Sequence, residues 1–163
     1  MDDARAFHTL LTRNRAYLDP WMPARDEDWY ELPQVTERLR RDVDEHARHA
    51  AYHFKVVDHG DTVGRIDMTN VVRGAWQNTT LGYWVAESHR NRGCATAAVK
   101  ACIDFAFAQA ALHRVQAAIM PRNAASIRVI EKAGFRNEGL AERYLRINGR
   151  WEDHLIYAIT AEE

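Results

Sequence analysis

The sequence lacks the features that mark nucleic-acid-binding proteins and disulfide-rich proteins. It has two cysteines in 163 residues, and its 22 lysines and arginines nearly balance its 23 aspartates and glutamates. The formal net charge of −1 gives no general reason to expect a nucleic acid or an acidic membrane as a partner. Both cysteines, Cys94 and Cys102, fall on one predicted helix, too far apart to pair. Free thiols are typical of a reducing compartment.

Targeting and membrane-spanning signals are also missing from the sequence. The first residues are acidic, unlike the basic start and apolar run of a signal peptide. The most apolar stretch, residues 94–112, is interrupted by Lys100, Asp104 and Gln109, so we do not expect it to span a bilayer. We therefore expect a cytoplasmic protein.

No internal repeat, low-complexity tract or Gly/Ser-rich linker divides the chain, so we expect one domain over residues 1–163. Apolar periodicity predicts helices, antiparallel strands, a helix, a strand, a helix and a final hairpin. The helices are predicted over 3–18 and 34–50, from Gly93, and over 123–134. The strands are predicted over 52–57, 63–71, 80–86, 114–120, 140–147 and 150–160. The Asn148-Gly149 turn is a strong hairpin signal. The order predicts an α+β domain around a central mixed sheet.

The junction between the strand at 80–86 and the helix from Gly93 is the part of the chain that points to chemistry. Helix N-termini carry unpaired amides and partial positive charge, so they bind anions. Gly93 permits close approach, Ala95 keeps the first turn open, and Arg90 and Arg92 add charge. The loop lacks the Rossmann and Walker glycine patterns. Taken alone, it is equally an anion site or a bare turn with two solvated arginines.

Several motifs together resemble the GNAT acetyltransferase superfamily. Arg90-x-x-Gly93-x-Ala95 after an apolar strand resembles its [Q/R]-x-x-G-x-[G/A] motif. Residues 120–126 (MPRNAAS) and 131–135 (EKAGF) resemble its N-x-x-[A/S] helix ending in E-x-x-G-F. Residues 14–21, 71–74 and 144–154 look like the RimJ/RimL branch, which acetylates the N-terminal amines of ribosomal proteins. The resemblance covers nearly the whole chain.

The resemblance implies a GNAT fold, with a central mixed, mostly antiparallel, twisted sheet flanked by helices. Relatives begin with a strand before the first helix, whereas this sequence starts almost at that helix, so we expect either a domain that lacks the strand or a native chain that starts upstream with it. It also implies acetyl-CoA as cofactor and direct acetyl transfer to an amine, with a protein N-terminal α-amine as the leading acceptor. Acylation of a small amine (a polyamine, an amino acid or an aminoglycoside) and a catalytically weak acyl-CoA-binding sensor are the alternatives. RimL-like relatives often form homodimers, and the sequence leaves dimerisation open.

The cofactor-binding residues implied by this resemblance lie in three segments. The backbone of Trp84, Val85 and Ala86 would pair with the pantetheine arm. The pyrophosphate would be held by Arg90, Asn91, Arg92, Gly93, Cys94 and Ala95, with Thr96. Asn123 and Ser126 would bind near the sulfur, although Asn123 can simply cap its helix and Ser126 can be a first-turn polar residue.

The catalytic roles follow from the same pattern. Acyl transfer to an amine needs a neutral nucleophile, a stabilised oxyanion and a proton for the departing thiolate. The Val85 amide would serve the oxyanion, and Ser126 is the candidate proton donor because the tyrosine of many relatives is Ile130 here. The base of RimL-like enzymes is replaced by Leu145. The base is therefore unassigned, and the candidates are Glu142, Asp153 and a water relay.

Other conspicuous residues receive structural interpretations. Cys94 is expected to fill space rather than carry an acyl group. No H-E-x-x-H motif exists, so we expect no metal, and solvated histidines at positions 46, 49 and 53. The basic run at 38–41 has acidic neighbours typical of a solvated helix face. The acidic loop at 26–31 either attracts a cationic peptide end or is simply solvated, and Trp21 and Trp76 either line the acceptor groove or pack elsewhere.

Overall fold

The computed structural model describes residues 2–162, and its helices and strands follow the predicted order. The helices are α1 (Asp2–Arg13), α2 (Arg15–Leu18), α3 (Leu32–Ala47), α4 (Cys94–Ala108) and α5 (Ala124–Lys132). The strands are β1 (Tyr52–Asp58), β2 (Asp61–Val72), β3 (Asn78–Val85), β4 (Arg114–Ile119), β5 (Arg136–Ile147) and β6 (Arg150–Thr160). Short 3-10 turns cover Asp19–Trp21, Glu27–Tyr30 and Glu87–His89. Within the described residues, no strand precedes α1.

The strands form one sheet in the order β1-β2-β3-β4-β6-β5. Every neighbouring pair is antiparallel except β3 and β4, which run parallel. The mixed, mostly antiparallel sheet is therefore confirmed. The β3–β4 pairing is short, joining only Asn78–Thr80 to residues 114–116. Beyond Thr80 the two strands are no longer paired, so a gap opens in the middle of the sheet.

Helices cover both faces of the sheet. The predicted apolar face of α4 is buried against one face, together with Ile130 of α5. A second buried cluster joins α1 and α3 to the other face through Phe7, Leu11 and Val35, with Trp84 packed against it. Because side chains alternate along a strand, Tyr83 and Val85 face α4 and α5, whereas Trp84 faces α1 and α3.

Two predicted helix boundaries were wrong for identifiable reasons. The helix expected over 3–18 is interrupted at Asn14, whose side chain is buried. Asn14 Nδ2 donates to the Leu10 carbonyl at 2.8 Å, and its Oδ1 accepts from the Glu87 amide at 2.8 Å. This long-range bond ties the helical layer to the loop after β3. The helix α3 begins at Leu32 because Pro33 is tolerated in a first turn. Among the described residues, no helix is both long and apolar enough to cross a membrane.

Candidate functional site

The gap between β3 and β4 opens into a groove of about 910 Å³. Phe7 and Leu11 of α1 line it on one face of the sheet, and Ser126 and Val129 of α5 line it on the other. The groove therefore passes through the sheet and gives one cavity access from both faces.

The N-terminus of α4 forms one end of this groove. Gly93 is its N-cap, with φ 86°, and no side chain caps the helix. A Cβ on Gly93 would meet no atom within 4 Å, so the space before the helix is open. The first-turn amides have no partner within the helix and can bind an anion. Groove-lining residues from this segment are Arg90, Asn91, Gly93, Cys94, Ala95 and Thr96.

Two predicted cofactor residues do not line the groove. Arg92 is exposed outside it, whereas Arg90 pairs with Glu87 at 3.5 Å and lies over the Tyr17 ring at 5.5 Å. Ala86 is buried, and its amide donates to the Val63 carbonyl at 2.7 Å. Trp84 and Val85 do line the groove, in the part of β3 that has no β4 partner.

The N-terminus of α5 faces the groove from the other side. Asn123 caps this helix by accepting from the Ser126 amide at 3.1 Å, as the sequence predicts. The hydroxyls of Tyr83 and Ser126 lie 2.7 Å apart, and Tyr83 also donates to the Ser126 carbonyl at 3.1 Å. Burial raises the pKa of Tyr83 to about 12, so this phenol stays protonated at neutral pH. Strand periodicity indicates which face Tyr83 occupies, but only the tertiary structure shows that it reaches Ser126.

An ion network lines the α3 side of the groove. The Arg65 guanidinium donates to Asp42 at 2.6 Å, and His53 bonds to Asp67 at 2.7 Å and to Glu45 at 3.0 Å. Burial alone would lower the pKa of His53, but the hydrogen bonds to Asp67 and Glu45 outweigh it and raise that pKa. The prediction of a solvated histidine was wrong for His53, whose side chain is 10% exposed.

Asp42 also departs from the predicted solvated helix face, because it is buried beneath Arg65. Possible metal-binding atoms of Asp42, Glu45 and His53 lie within 4.8 Å of one another. All of these side chains already take part in the ion network. A sequence pattern does not reveal this cluster, since Asp42 and Glu45 lie on α3 and His53 lies on β1.

The structure brings neither candidate base, Glu142 nor Asp153, to the groove. Both are exposed on the terminal hairpin, and Asp153 accepts from the Arg143 amide at 2.8 Å. Their neighbour His154 does line the groove and is 3% exposed. Sequence reasoning missed His154, although strand alternation places it on the face opposite Asp153.

The loop between α2 and α3 lines the groove with Arg25 and Trp29, not with its acidic residues. Glu27 instead forms two hydrogen bonds with Arg15, at 2.6 and 2.7 Å. Trp21 lines the groove, whereas Trp76 is 55% exposed and lies outside it. The loop is therefore poorly placed to attract a cationic peptide end through its carboxylates.

A family model described as an acetyltransferase (GNAT) domain matches residues 1–136. The chain belongs to the GNAT acetyltransferase family. It is 35% identical to a probable N-acetyltransferase, YjcK, of Bacillus subtilis, over 96% of this chain and 88% of that protein. It is 31% identical to the ribosomal protein uS5-alanine N-acetyltransferase of Escherichia coli, over 99% of this chain and 84% of that protein.

Solved structures of GNAT enzymes match the whole fold. The ribosomal-protein-S5-alanine acetyltransferase of Vibrio fischeri superposes with a TM-score of 0.94 at 33% identity, covering 99% of this chain and 90% of that one. RimJ of Mycobacterium smegmatis, in complex with CoA-disulfide, also gives 0.94 at 36% identity, covering 99% and 79%. This GNAT chain is accordingly an N-acetyltransferase of the RimJ/RimL group that uses acetyl-CoA.

Proposed function

We propose that this enzyme transfers acetyl groups to the N-terminal α-amine of a protein, such as a ribosomal protein. The observation that carries the proposal is the gap between β3 and β4. This gap connects the N-terminus of α4, where an anion can bind, with the face of the sheet that is covered by α1 and α3. Relatives that match 99% of the chain are named for acetylating the alanine of ribosomal protein S5. We place the reaction in the cytoplasm, where new protein N-termini arise.

The residues at the groove suit acetyl-CoA. Seven lysine and arginine side chains line the groove against three carboxylates, which favours a ligand bearing phosphates. Amides at the start of α4, together with Arg90, would hold the pyrophosphate. Residues 81–85 of β3 have no β4 partner, and this edge would bind the pantetheine arm. When bound, acetyl-CoA would supply the thioester that is cleaved.

Two groups of the chain are suited to the chemistry at the thioester. The Val85 amide lies on the unpaired edge of β3, where it would donate to a developing oxyanion. The Ser126 hydroxyl lies in the first turn of α5, where it would give a proton to the departing thiolate. Tyr83 fixes the position of that hydroxyl.

The cationic lining of the groove also bears on the alternative acceptors. On the face covered by α3, four arginines outnumber the three carboxylates of the ion network, and this excess of positive charge would disfavour a polyamine that carries several positive charges; the arginines are Arg25, Arg38, Arg41 and Arg65. A peptide with one α-amine meets less repulsion. Homodimer formation and the lack of a nucleic-acid partner stay predictions, which sedimentation and nucleic-acid binding measurements would test.

The experiment compares acceptors by following release of free CoA thiol from acetyl-CoA. The panel contains Ala- and Ser-starting peptides that carry one internal lysine, and the same peptides with an acetylated N-terminus. It also contains spermidine, free amino acids and an aminoglycoside. We expect turnover on the free N-termini and none on the matched blocked peptides. Turnover confined to small amines would contradict the protein acceptor, and CoA binding without turnover on any amine would favour the sensor.

A further inference from the structure

His154 lies at the open end of the gap, on the face opposite Ser126. The last β4–β6 pair joins Ile119 to Leu155, so His154 is one residue beyond it. Tyr157 and Ile159 of β6 pack in the core under α4 and α5, and alternation therefore turns His154 to the other face. The two sides of the groove thus present different groups, a hydroxyl on the α5 side and an imidazole on the other.

The tautomer of His154 follows from its hydrogen bond. Nδ1 lies 3.0 Å from the Glu152 carbonyl oxygen, which can only accept, so Nδ1 carries the proton. In the neutral ring, Nε2 then holds a lone pair. Within residues 2–162, Nε2 has no hydrogen-bond partner. The ring is buried and packs against Tyr144 with centroids 5.7 Å apart, which holds its orientation.

The other carboxylates and imidazoles that line the groove already have partners. Asp42, Glu45, His53 and Asp67 are bound within the Arg65 network. His89 bonds through Nδ1 to Ser88, on the side of the pyrophosphate loop. The remaining lining charges are arginines and Lys132, which cannot act as bases at neutral pH. Among the described residues on the side of the groove opposite Ser126, His154 therefore offers a ring nitrogen without a partner.

We propose that His154 is the general base for the acceptor amine, an inference that rests on the proposed amine acetylation. Nε2 accepts one proton from the amine nitrogen as the bond between that nitrogen and the acetyl carbon forms. The carbon–sulfur bond breaks, and the sulfur takes up one proton from the Ser126 side, which solvent replaces. Protonated His154 then returns its proton to solvent. Tyr144 packs against the His154 ring, and Glu152, on the same face of β6 two residues earlier, pairs with Arg122 at 3.4 Å.

The test replaces His154 with asparagine, whose amide can still donate to the Glu152 carbonyl but cannot accept the amine proton. The matched control is His59→Asn, because His59 is exposed in the β1–β2 turn and has φ 48°, a conformation that asparagine tolerates. Steady-state rates are measured with the amine that the wild type acetylates fastest. We expect kcat of the His154→Asn variant to fall about 100-fold at pH 7, with KM for acetyl-CoA unchanged. The acidic limb of the kcat/KM profile should disappear, and added imidazole should restore part of the rate.

Calorimetric CoA binding and thermal unfolding show whether the variant is folded, and His154→Gln gives a second substitution. Folded variants that keep the wild-type kcat and acidic limb would overturn the assignment. A measurement on the wild type needs no variant: ¹⁵N NMR at pH 8 should show the Nδ1–H tautomer of His154, and an Nε2–H tautomer would overturn it. The protein-acceptor proposal fails by a different result, in which the wild type turns over small amines only.

Discussion

The hydroxyls of Ser126 and Tyr83 form one hydrogen-bonded pair, so their effects on catalysis should be coupled. We expect Ser126→Ala to lower kcat about 10- to 100-fold because it removes the proposed proton donor. Tyr83→Phe should lower kcat only a few-fold, since Tyr83 acts by orienting Ser126. The double variant should be no slower than Ser126→Ala alone, because the two groups work as a unit. Single-turnover rates of the three variants measure this coupling.

Thr9→Ala, on the exposed side of α1, is the control for loss of a hydroxyl. An unchanged kcat in Ser126→Ala would remove Ser126 from the mechanism. Fully additive losses would instead show that Tyr83 acts independently of Ser126.

The helix α5 depends on Asn123 at its start, and this residue has two separable roles. Asn123→Ala should destabilise the protein by about 1 kcal/mol, because the Ser126 amide loses its capping acceptor. Asn123→Asp keeps that acceptor and should retain stability, but its negative charge and lost amide protons should weaken CoA binding if Asn123 also contacts the cofactor. Urea unfolding and calorimetric titration with CoA separate the two effects. Equal CoA affinity in wild type and Asn123→Asp would restrict Asn123 to capping.

In the whole molecule, the ion network around His53 joins α3 to the sheet and should make stability depend on pH. The pKa of His53 is raised in the folded protein. Its contribution to the free energy of unfolding is therefore complete below the unfolded pKa of about 6.5 and is lost as pH rises. We therefore expect the free energy of unfolding, measured with urea, to decrease between pH 6 and pH 8. Burial raises the pKa of Cys102 to about 12. This thiol therefore lowers the free energy of unfolding only above the unfolded thiol pKa of about 8.5, outside this pH window.

The variant His53→Gln should remove most of this pH dependence, whereas the exposed His59→Asn should keep it. Carboxylates with a lowered pKa, such as Glu138 beside Arg114, lose their contribution to stability only at a more acidic pH. A wild-type stability that is equal at pH 6 and pH 8 would contradict the proposed role of the network.

Much of the fold could be predicted because its signals are local. Period-two and period-3.6 patterns located β1 to β6 and α3 to α5 to within a few residues, and Asn123 was correctly predicted to cap α5. The break at Asn14 could not be predicted, since it depends on a bond to Glu87, which is distant in sequence. The site was only partly predictable for the same reason: motifs located Gly93 and Ser126, but no motif contains His154.

The sequence by itself determined the family, the cofactor and the order of elements, because these depend on short motifs and on the spacing of apolar residues. The tertiary structure decided where the sheet parts, which hydroxyl meets Ser126, and which titratable groups are already bound in the Arg65 network. Those features arise when strands distant in sequence become neighbours. Strand alternation places His154 on one face, but only the gap between β3 and β4 makes that face part of the groove.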